Sequence, residues 1–245
     1  AVHAALARRE RAPDREIDAW YFQRYVDEAG RHHLRLRARG TPAGLDRFAR
    51  RLARRLAPLR AAGDVLDVDR AGHLPERLRF GPALPAVEAV FQHDSEHVLA
   101  LLALPDDARP DGPEILVRNL DALAAGCGLP LAARAQLAAE GRAARAADLP
   151  EVAGTRDPLA PLFRARQAAL ASALLADARR PDRATDPTTA LFAAHRARLA
   201  ALTREAARAR RAAPLRRVLP DLLHLACVRL AGPDAAREAI AFYLW

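Results

Sequence analysis

Residues 17–39, IDAWYFQRYVDEAGRHHLRLRAR, decide the fold of the first third of the chain. The apolar and aromatic run Ile17–Val26 is typical of a β-strand, and the polar DEAGR that follows supplies a turn. His32–Arg39 alternates strictly between polar and apolar residues, which predicts a second strand. Side chains alternate between the two faces of a strand, so three guanidinium groups share one surface. These are Arg35, Arg37 and Arg39.

The rest of the chain changes from this mixed pattern to a helical one. Thr41-Pro42 opens an amphipathic helix, and Asp64–Val68 is predicted to return to the sheet as a third strand. From Leu84 onward, alanine- and leucine-rich segments bounded by Pro or Gly predict helices. The predicted helical segments are 84–104, 114–126, 131–147, 158–179, 187–212, 214–231 and 233–244.

This organisation predicts an α+β fold, in which a small antiparallel sheet in the N-terminal third packs with a larger helical part. We expect a single domain over residues 1–245, sheet-rich over 1–83 and helical over 84–245. A split near residue 105 is the alternative.

Composition restricts the class of protein. The chain has 245 residues, of which 51% are hydrophobic, and this suits a globular enzyme or binding module. No apolar run is long enough to span a bilayer, and the N-terminus lacks the apolar core of a signal peptide. We therefore expect a cytoplasmic protein without a membrane partner. Cys127 and Cys227 lack metal-ligand spacing, so we expect two buried apolar residues and no metal site.

The charge of the chain comes from arginine alone. The sequence contains no lysine and carries a formal net charge of +9. Excess arginine and alanine together indicate a GC-rich coding bias, and no common nucleic-acid-binding signature is present. We therefore expect no nucleic-acid partner, although RNA binding stays a distant alternative. A cationic surface also attracts acidic peptides.

Four blocks of sequence stand out in order along the chain. They are Arg24-Tyr25 followed by HLRLR at residues 33–37, PERLRFG at 75–81, EAVFQHDS at 88–95, and His224 followed by Arg229 and Gly232. They resemble the signature blocks of the C-terminal elimination domain of class I lantibiotic dehydratases, which read roughly FxRYxD…HLRLR, PExxRYGG, AExxFxxDS and HMxxNRLxG. The resemblance extends over nearly the whole chain.

The resemblance implies a reaction on a peptide. In that family the domain removes glutamate from glutamylated Ser or Thr of a precursor peptide, which leaves dehydroalanine or dehydrobutyrine. A related branch joins two dehydroalanines into the central pyridine of a thiopeptide by a formal aza-cycloaddition, with loss of water and of the leader peptide. Both reactions use no cofactor. The implied partners are a precursor peptide with an acidic leader and other biosynthetic enzymes of the pathway.

The family's elimination residues fall on five positions, and their chemistry suits the reaction. Elimination of a glutamyl ester needs a base for the α-proton, stabilisation of the enolate and a contact for the departing carboxylate, and arginine suits the last two tasks. Histidine is the natural proton-transfer group, and a glutamate could orient an arginine or move a proton itself. The implied catalytic residues are Arg35, Arg37, Glu76, Arg79 and His224.

Other positions in the same blocks are expected to bind the substrate. They are Arg24, Tyr25, His33, Phe80, Asp94, Ser95, Val228 and Arg229. Each candidate also has a structural interpretation. Alternating arginines suit any half-exposed strand, and Glu76 with Arg79 suits a surface ion pair. A histidine among leucines, such as His224, is often a buried structural residue, and Asp94 with Ser95 would serve as a local cap.

Departures from the family pattern decide between the two reactions. Phe80 and Pro82 replace the Tyr and second Gly of RYGG, Val228 replaces the Asn of HMxxNR, and His73 stands where Tyr is usual. A less polar pocket favours the pyridine-forming branch, in which the protein would mainly position two dehydroalanines for reaction. Glutamate elimination is the first alternative. A non-catalytic module that binds the precursor peptide is the second.

Overall fold

The computed structural model describes residues 17–70, 77–149, 157–179, 181–184, 186–209 and 212–245. The first elements in this part of the chain form the predicted hairpin. Strands β1 (Ile17–Val26) and β2 (His32–Gly40) pair antiparallel, with Phe22 opposite Leu36. Helices pack against this sheet, so the predicted α+β class is confirmed.

The predicted third strand over residues 64–68 is wrong. Among the described residues the sheet has two strands, and residues 65–70 belong to neither a helix nor a strand. Leu66 is 83% exposed, so it buries no apolar surface that would hold the segment on the sheet. The three aspartates at positions 64, 67 and 69 also have a low preference for strands. In addition, side chains of the following helices contact the outer edge of β1, where Gln92 accepts from the Trp20 amide (3.4 Å).

Helices make up most of the described chain. Helix α1 (Pro42–Ala61) begins where predicted, at Thr41, whose hydroxyl accepts a hydrogen bond from the Gly44 amide (3.1 Å). The predicted helix 214–231 is divided at Val218. The remaining helices are α2 (Arg77–Phe80), α3 (Leu84–Leu102), α4 (Gly112–Gly126), α5 (Leu131–Ala144), α6 (Ala160–Asp177), α7 (Pro187–Arg208), α8 (Ala212–Arg217), α9 (Leu219–Ala231) and α10 (Ala235–Leu244).

The core surrounds helix α4, which is buried on nearly all sides by α6, α7, α9 and α10. One apolar cluster extends from Trp20 and Phe22 of β1 to Phe242 of α10, so the sheet and the helices share it. Both cysteines are free thiols in buried positions, as the sequence predicts. Burial raises the pKa of the Cys127 thiol to about 11. None of the described helices is long and apolar enough to cross a membrane.

Three histidines form a buried stack between α3 and α7. The rings of His97 and His195 lie nearly parallel, with their centroids 3.9 Å apart, and the His93 ring also stacks on His195 at 4.8 Å. His195 Nδ1 lies 3.0 Å from His93 Nε2. Burial lowers the pKa of His97 and His195 well below the ordinary value and also lowers that of His93. The stack is therefore held in its neutral form.

The close approach of α4 and α7 depends on the absence of a side chain at Gly126. A Cβ at this position would lie 2.3 Å from the Cβ of Leu199. Replacing Gly by Ala in a helix ordinarily gains up to about 1 kcal/mol, whereas forcing atoms into a packed core costs about 1–3 kcal/mol. We expect Gly126→Ala to lower the free energy of unfolding measured with urea. Gly112→Ala is the control because nothing lies within 4 Å of its added Cβ; equal stability of both variants would contradict this packing.

The histidine stack predicts a fall in stability below neutral pH. In the unfolded chain these histidines take up protons near pH 6.5, whereas the folded chain resists protonation because its histidine pKa values are lowered. Stability is then lost as the pH falls through about 6.5, by up to about 1.4 kcal/mol per pH unit for each such histidine. Urea midpoints at pH 7.5, 6.5 and 5.5 measure this slope.

Variants assign that slope to the stack. We expect His97→Phe, whose ring can still pack on Phe192, to reduce the pH dependence. The exposed His32 is the control position, and His32→Gln should leave the slope unchanged. A slope that His97→Phe does not alter would contradict the assignment.

Candidate active site

Strand β2 presents part of the predicted site on one face of the hairpin. The register pairs Tyr25 with His33, Gln23 with Arg35 and Tyr21 with Arg37, so these side chains lie on the same face. The guanidinium carbon of Arg35 lies 3.8 Å from the centre of the Tyr25 ring, and its Nε lies 3.2 Å from His33 Nε2. The exposed guanidinium of Arg35 is thus held in place by two aromatic neighbours.

The three arginines of β2 differ in their surroundings. Arg35 is exposed and Arg37 is half-buried, whereas Arg39 pairs with Glu88 of α3 (3.4 Å). Beneath them, Gln23 is buried, and neither atom of its amide has a hydrogen-bond partner in the described part of the chain. The face therefore combines guanidinium groups that are at least partly accessible with a buried polar group.

Arg79 contacts helix α9 one turn before His224. Arg79, in the short helix α2, forms an ion pair with Asp221 in the first turn of α9. His224 follows three residues later and therefore lies on the same side of the helix, one turn on. Both side chains of the ion pair are partly exposed, as is that of His224. A positive charge, a carboxylate and an imidazole therefore share one surface.

A carboxylate of helix α10 orients His224. His224 Nδ1 lies 2.9 Å from Oε2 of Glu238 and 3.1 Å from Oε1. The Glu238 side chain is only 9% exposed, and Arg145 donates to the same carboxylate from Nε at 2.8 Å. The imidazole is therefore part of a three-residue polar chain in which Glu238, the middle residue, is the most enclosed.

Aromatic contacts connect strand β1 to helix α2, which carries Arg79. The Tyr21 ring, in register with Arg37, lies 5.1 Å from the Phe91 ring, and Phe91 lies 5.8 Å from Phe80. Phe80 directly follows Arg79 in α2 and also lies beneath its guanidinium. The basic strand and the Arg79–Asp221–His224 surface are thus linked by packed rings. We call these two parts together the candidate site.

A buried ion pair holds the elements behind the candidate site. Arg229 of α9 forms a salt bridge with Asp94 of α3, and both side chains are at most 1% exposed. Arg229 Nε also donates to the backbone carbonyl of Phe22 (2.9 Å), while Ser95 Oγ accepts from the Phe22 amide (3.2 Å). Residues of the third and fourth sequence blocks therefore meet at Phe22 of β1, two residues before Arg24 of the first block.

Several residues predicted to bind substrate are buried instead. Asp94, Ser95 and Arg229 are enclosed and take part in internal contacts, which leaves no accessible surface for a ligand. Phe80 and Val228 are also buried, and both pack against neighbouring side chains. The backbone of β1 provides the physical reason, because its edge groups need partners and these polar side chains supply them.

The other predicted residues have different placements. Arg24 is exposed and donates to the carbonyl of Leu230 at the end of α9 (2.9 Å), so it joins the strand to that helix. Tyr25 and His33 stack on each other next to Arg35. Glu76 and His73 lie outside the described residues.

Asp221, Glu238 and Arg145 were not predicted from the sequence. One signal was present, because Glu238 lies four residues before Phe242 on the buried side of an amphipathic helix, where an acidic residue is unusual. Asp221 lies three residues before His224, which places both on one side of α9. Arg145 has no comparable signal. It reaches Glu238 from a helix end distant in sequence.

The fold is similar to that of the tRNA dependent lantibiotic dehydratase MibB from Microbispora sp. 107891, with a TM-score of 0.63 and 23% sequence identity. The match covers 99% of this chain and 26% of that chain, so this chain spans about a quarter of the length of MibB. The model of the lantibiotic biosynthesis dehydratase C-terminal family matches residues 2–245, and the chain belongs to that family. The resemblance in its sequence blocks is thereby confirmed. A comparison with curated proteins found no match.

The buried pair predicts non-additive effects on stability. Arg229→Leu or Asp94→Leu alone would leave an uncompensated buried charge, and we expect each to cost about 3–5 kcal/mol in the free energy of unfolding. The double variant should cost clearly less than the sum of the single variants, because it leaves neither charge. Urea unfolding of all three proteins measures the coupling.

Arg237→Leu serves as the control for this cycle. Arg237 pairs with Asp234 at the surface, and we expect its replacement to cost at most about 1 kcal/mol. Additive effects of Arg229→Leu and Asp94→Leu would contradict a direct interaction between the two charges.

Proposed function

We propose that this chain catalyses the elimination of glutamate from glutamylated Ser or Thr residues of a precursor peptide. The observation that supports this proposal best is the pairing of His224 with Glu238 on the same surface as Arg79. An imidazole next to cationic groups combines a proton acceptor with a binding site for anions, and β-elimination of a carboxylate requires both.

In the proposed reaction, His224 removes the proton from the α-carbon of the glutamylated residue. The electron pair of that C–H bond forms the Cα=Cβ double bond, and the Cβ–O bond to the glutamyl carboxyl breaks. Glutamate leaves as a carboxylate, and the proton on the imidazole passes to solvent. The Glu238 carboxylate stabilises the positive charge that develops on His224 during the proton transfer.

The arginines act on the negative charges of this reaction. A planar, permanently charged guanidinium binds a carboxylate through two hydrogen bonds, so Arg35 or Arg37 suits the departing glutamate. Arg79 suits the enolate-like charge on the carbonyl next to the α-carbon. Its ion pair with Asp221 holds the guanidinium near the histidine but also neutralises part of its charge. We expect substrate binding to reorganise that ion pair.

Pyridine formation is the second candidate. It draws support from Phe80 and Pro82, which make this part of the chain less polar than the family pattern. Two of the departures that favour it, Phe80 and Val228, are buried, which weakens the case for an apolar pocket open to the substrate. The combination of base and arginines is better suited to expelling a carboxylate. For this reason we favour elimination.

The proposed substrate is a precursor peptide whose acidic leader would be attracted by the arginine-rich surface. The exposed arginines of α1, which include Arg50, Arg54 and Arg55, contribute to this surface. The proposed reaction uses a peptide that is already glutamylated. A separate glutamylating activity of the same pathway is therefore the implied enzyme partner.

Incubation with a glutamylated precursor peptide tests the proposed function. We expect mass spectrometry to detect loss of one glutamic acid from each modified residue and formation of dehydroamino acids. His224→Ala should lower the rate by about 10²- to 10⁴-fold, because it removes the general base. Arg79→Ala and Arg35→Ala should also lower it, whereas the surface variant Arg237→Ala should not.

The same experiment distinguishes the alternatives. A peptide that carries two dehydroalanines and thiazoles is supplied in a parallel reaction; a macrocycle plus free leader there would favour pyridine formation. If the protein binds either peptide but converts neither, or if turnover survives His224→Ala and Arg79→Ala, the enzymatic proposal is wrong. A precursor-binding module would then be the better account.

A further inference from the structure

We infer that Glu238, held in place by Arg145, is a positioning residue that fixes which nitrogen of His224 acts as the base. The inference rests on the proposed function, because it assigns His224 its proton-transfer role. It concerns an interaction that the four sequence blocks do not contain, since Glu238 and Arg145 both lie outside them. The geometry that supports it joins α9, α10 and the end of α5.

The hydrogen-bond chemistry determines the tautomer. An ionised carboxylate can only accept hydrogen bonds, and both oxygens of Glu238 lie within 3.1 Å of His224 Nδ1. The Nδ1 atom must therefore carry a proton. In the neutral imidazole the other nitrogen, Nε2, is then the acceptor, and it has no hydrogen bond to any residue in the described part of the chain. Nε2 is thus available to take a proton from a substrate.

The position of Glu238 is itself fixed from behind. Arg145 donates to its carboxylate, and the Arg145 guanidinium lies over the Phe242 ring, 4.2 Å from the centre. Arg145 NH1 also donates to the carbonyl of Gly141 (3.3 Å). Because a Cβ at Gly141 would lie 2.1 Å from the Phe242 ring, the glycine lets this ring approach α5 closely. The carboxylate is therefore held by a packed arrangement and does not depend on a mobile surface contact.

The difference in burial between His224 and Glu238 suits a base and the residue that positions it. The side chain of His224 is 43% exposed, whereas that of Glu238 is 9% exposed. A structural ion pair between Glu238 and Arg145 would not need a half-exposed histidine bonded to the same carboxylate. The outward imidazole can reach a peptide, and the inward carboxylate can stabilise its positive charge without contacting the substrate. This arrangement distinguishes positioning from simple structural pairing.

The direct test measures the tautomer of His224 by ¹⁵N NMR of the whole chain, at a pH at which the imidazole is neutral. We expect Nδ1 to be protonated and Nε2 unprotonated in the wild type. In Glu238→Gln the carboxylate is lost, and we expect the population to shift toward the Nε2-protonated form that free histidine prefers. Glu140→Gln on α5 is the matched control, because Glu140 is exposed and hydrogen-bonds to Gln136 instead.

A second variant shows whether a change in the tautomer results from a folding defect. Glu238→Gln leaves the Arg145 charge without its partner, so the double variant Glu238→Gln with Arg145→Gln is measured beside it, and thermal unfolding shows which proteins fold. The wild-type tautomer decides the outcome even if both variants fail to fold. An Nε2-protonated imidazole in the wild type, or an unchanged tautomer in a folded variant, would overturn the inference.

Kinetics separate this inference from the proposed function. With glutamylated peptide, Glu238→Gln should lower kcat on the order of 10- to 100-fold and leave KM nearly unchanged, because the residue does not contact the substrate. If the tautomer shifts but the wild type eliminates no glutamate, the proposed function fails and the positioning of His224 stands. If elimination occurs and Glu238→Gln changes neither tautomer nor kcat, the positioning inference fails alone.

Discussion

The buried ion pair between Arg229 and Asp94 is the constraint on which the rest of the structure depends. Two charges removed from water are stable only when each has partners, so the pair fixes helix α9 against α3. The same guanidinium binds the carbonyl of Phe22, and Ser95 binds its amide, so the edge of β1 is held by side chains where another strand would ordinarily pair. This arrangement gives a two-stranded sheet that is stable within a mostly helical protein. It also brings His224, five residues before Arg229, to a fixed place relative to the strand.

Much of the fold could be predicted because local patterns determined it. The alternation of β2, the Thr41 cap of α1 and the Pro and Gly boundaries of the later helices all act over a few residues, and the structure follows them. The prediction of a third strand was wrong because a strand at Leu66 would need a pairing partner far along the chain. A local pattern carries no information about such a partner. The break at Val218 has a similar cause. Helix α9 begins after Val218 and packs on β1 and α4, which lie far from it in sequence.

The candidate site was predictable to the extent that family motifs mark it. Those motifs contain two kinds of residue that the sequence does not separate. Arg35, Arg37, Arg79 and His224 are at least partly accessible, whereas Asp94, Ser95 and Arg229 are enclosed and hold the elements together. Burial distinguishes them, and it results from tertiary packing. Glu238 and Arg145 were not predicted for the same reason, since their role depends on the approach of α10 and the end of α5 to His224.

The most direct test of the central claim, that the arginines and His224 form one reaction site, is a crystal structure with a bound substrate analogue. A peptide in which a stable amide replaces the glutamyl ester would bind without reacting. The account predicts that the α-carbon of the modified residue lies about 3–3.5 Å from His224 Nε2, with the glutamate carboxylate on an arginine of β2 or on Arg79. A peptide bound elsewhere, with His224 Nε2 facing solvent and no arginine of these elements on the glutamate, would contradict it.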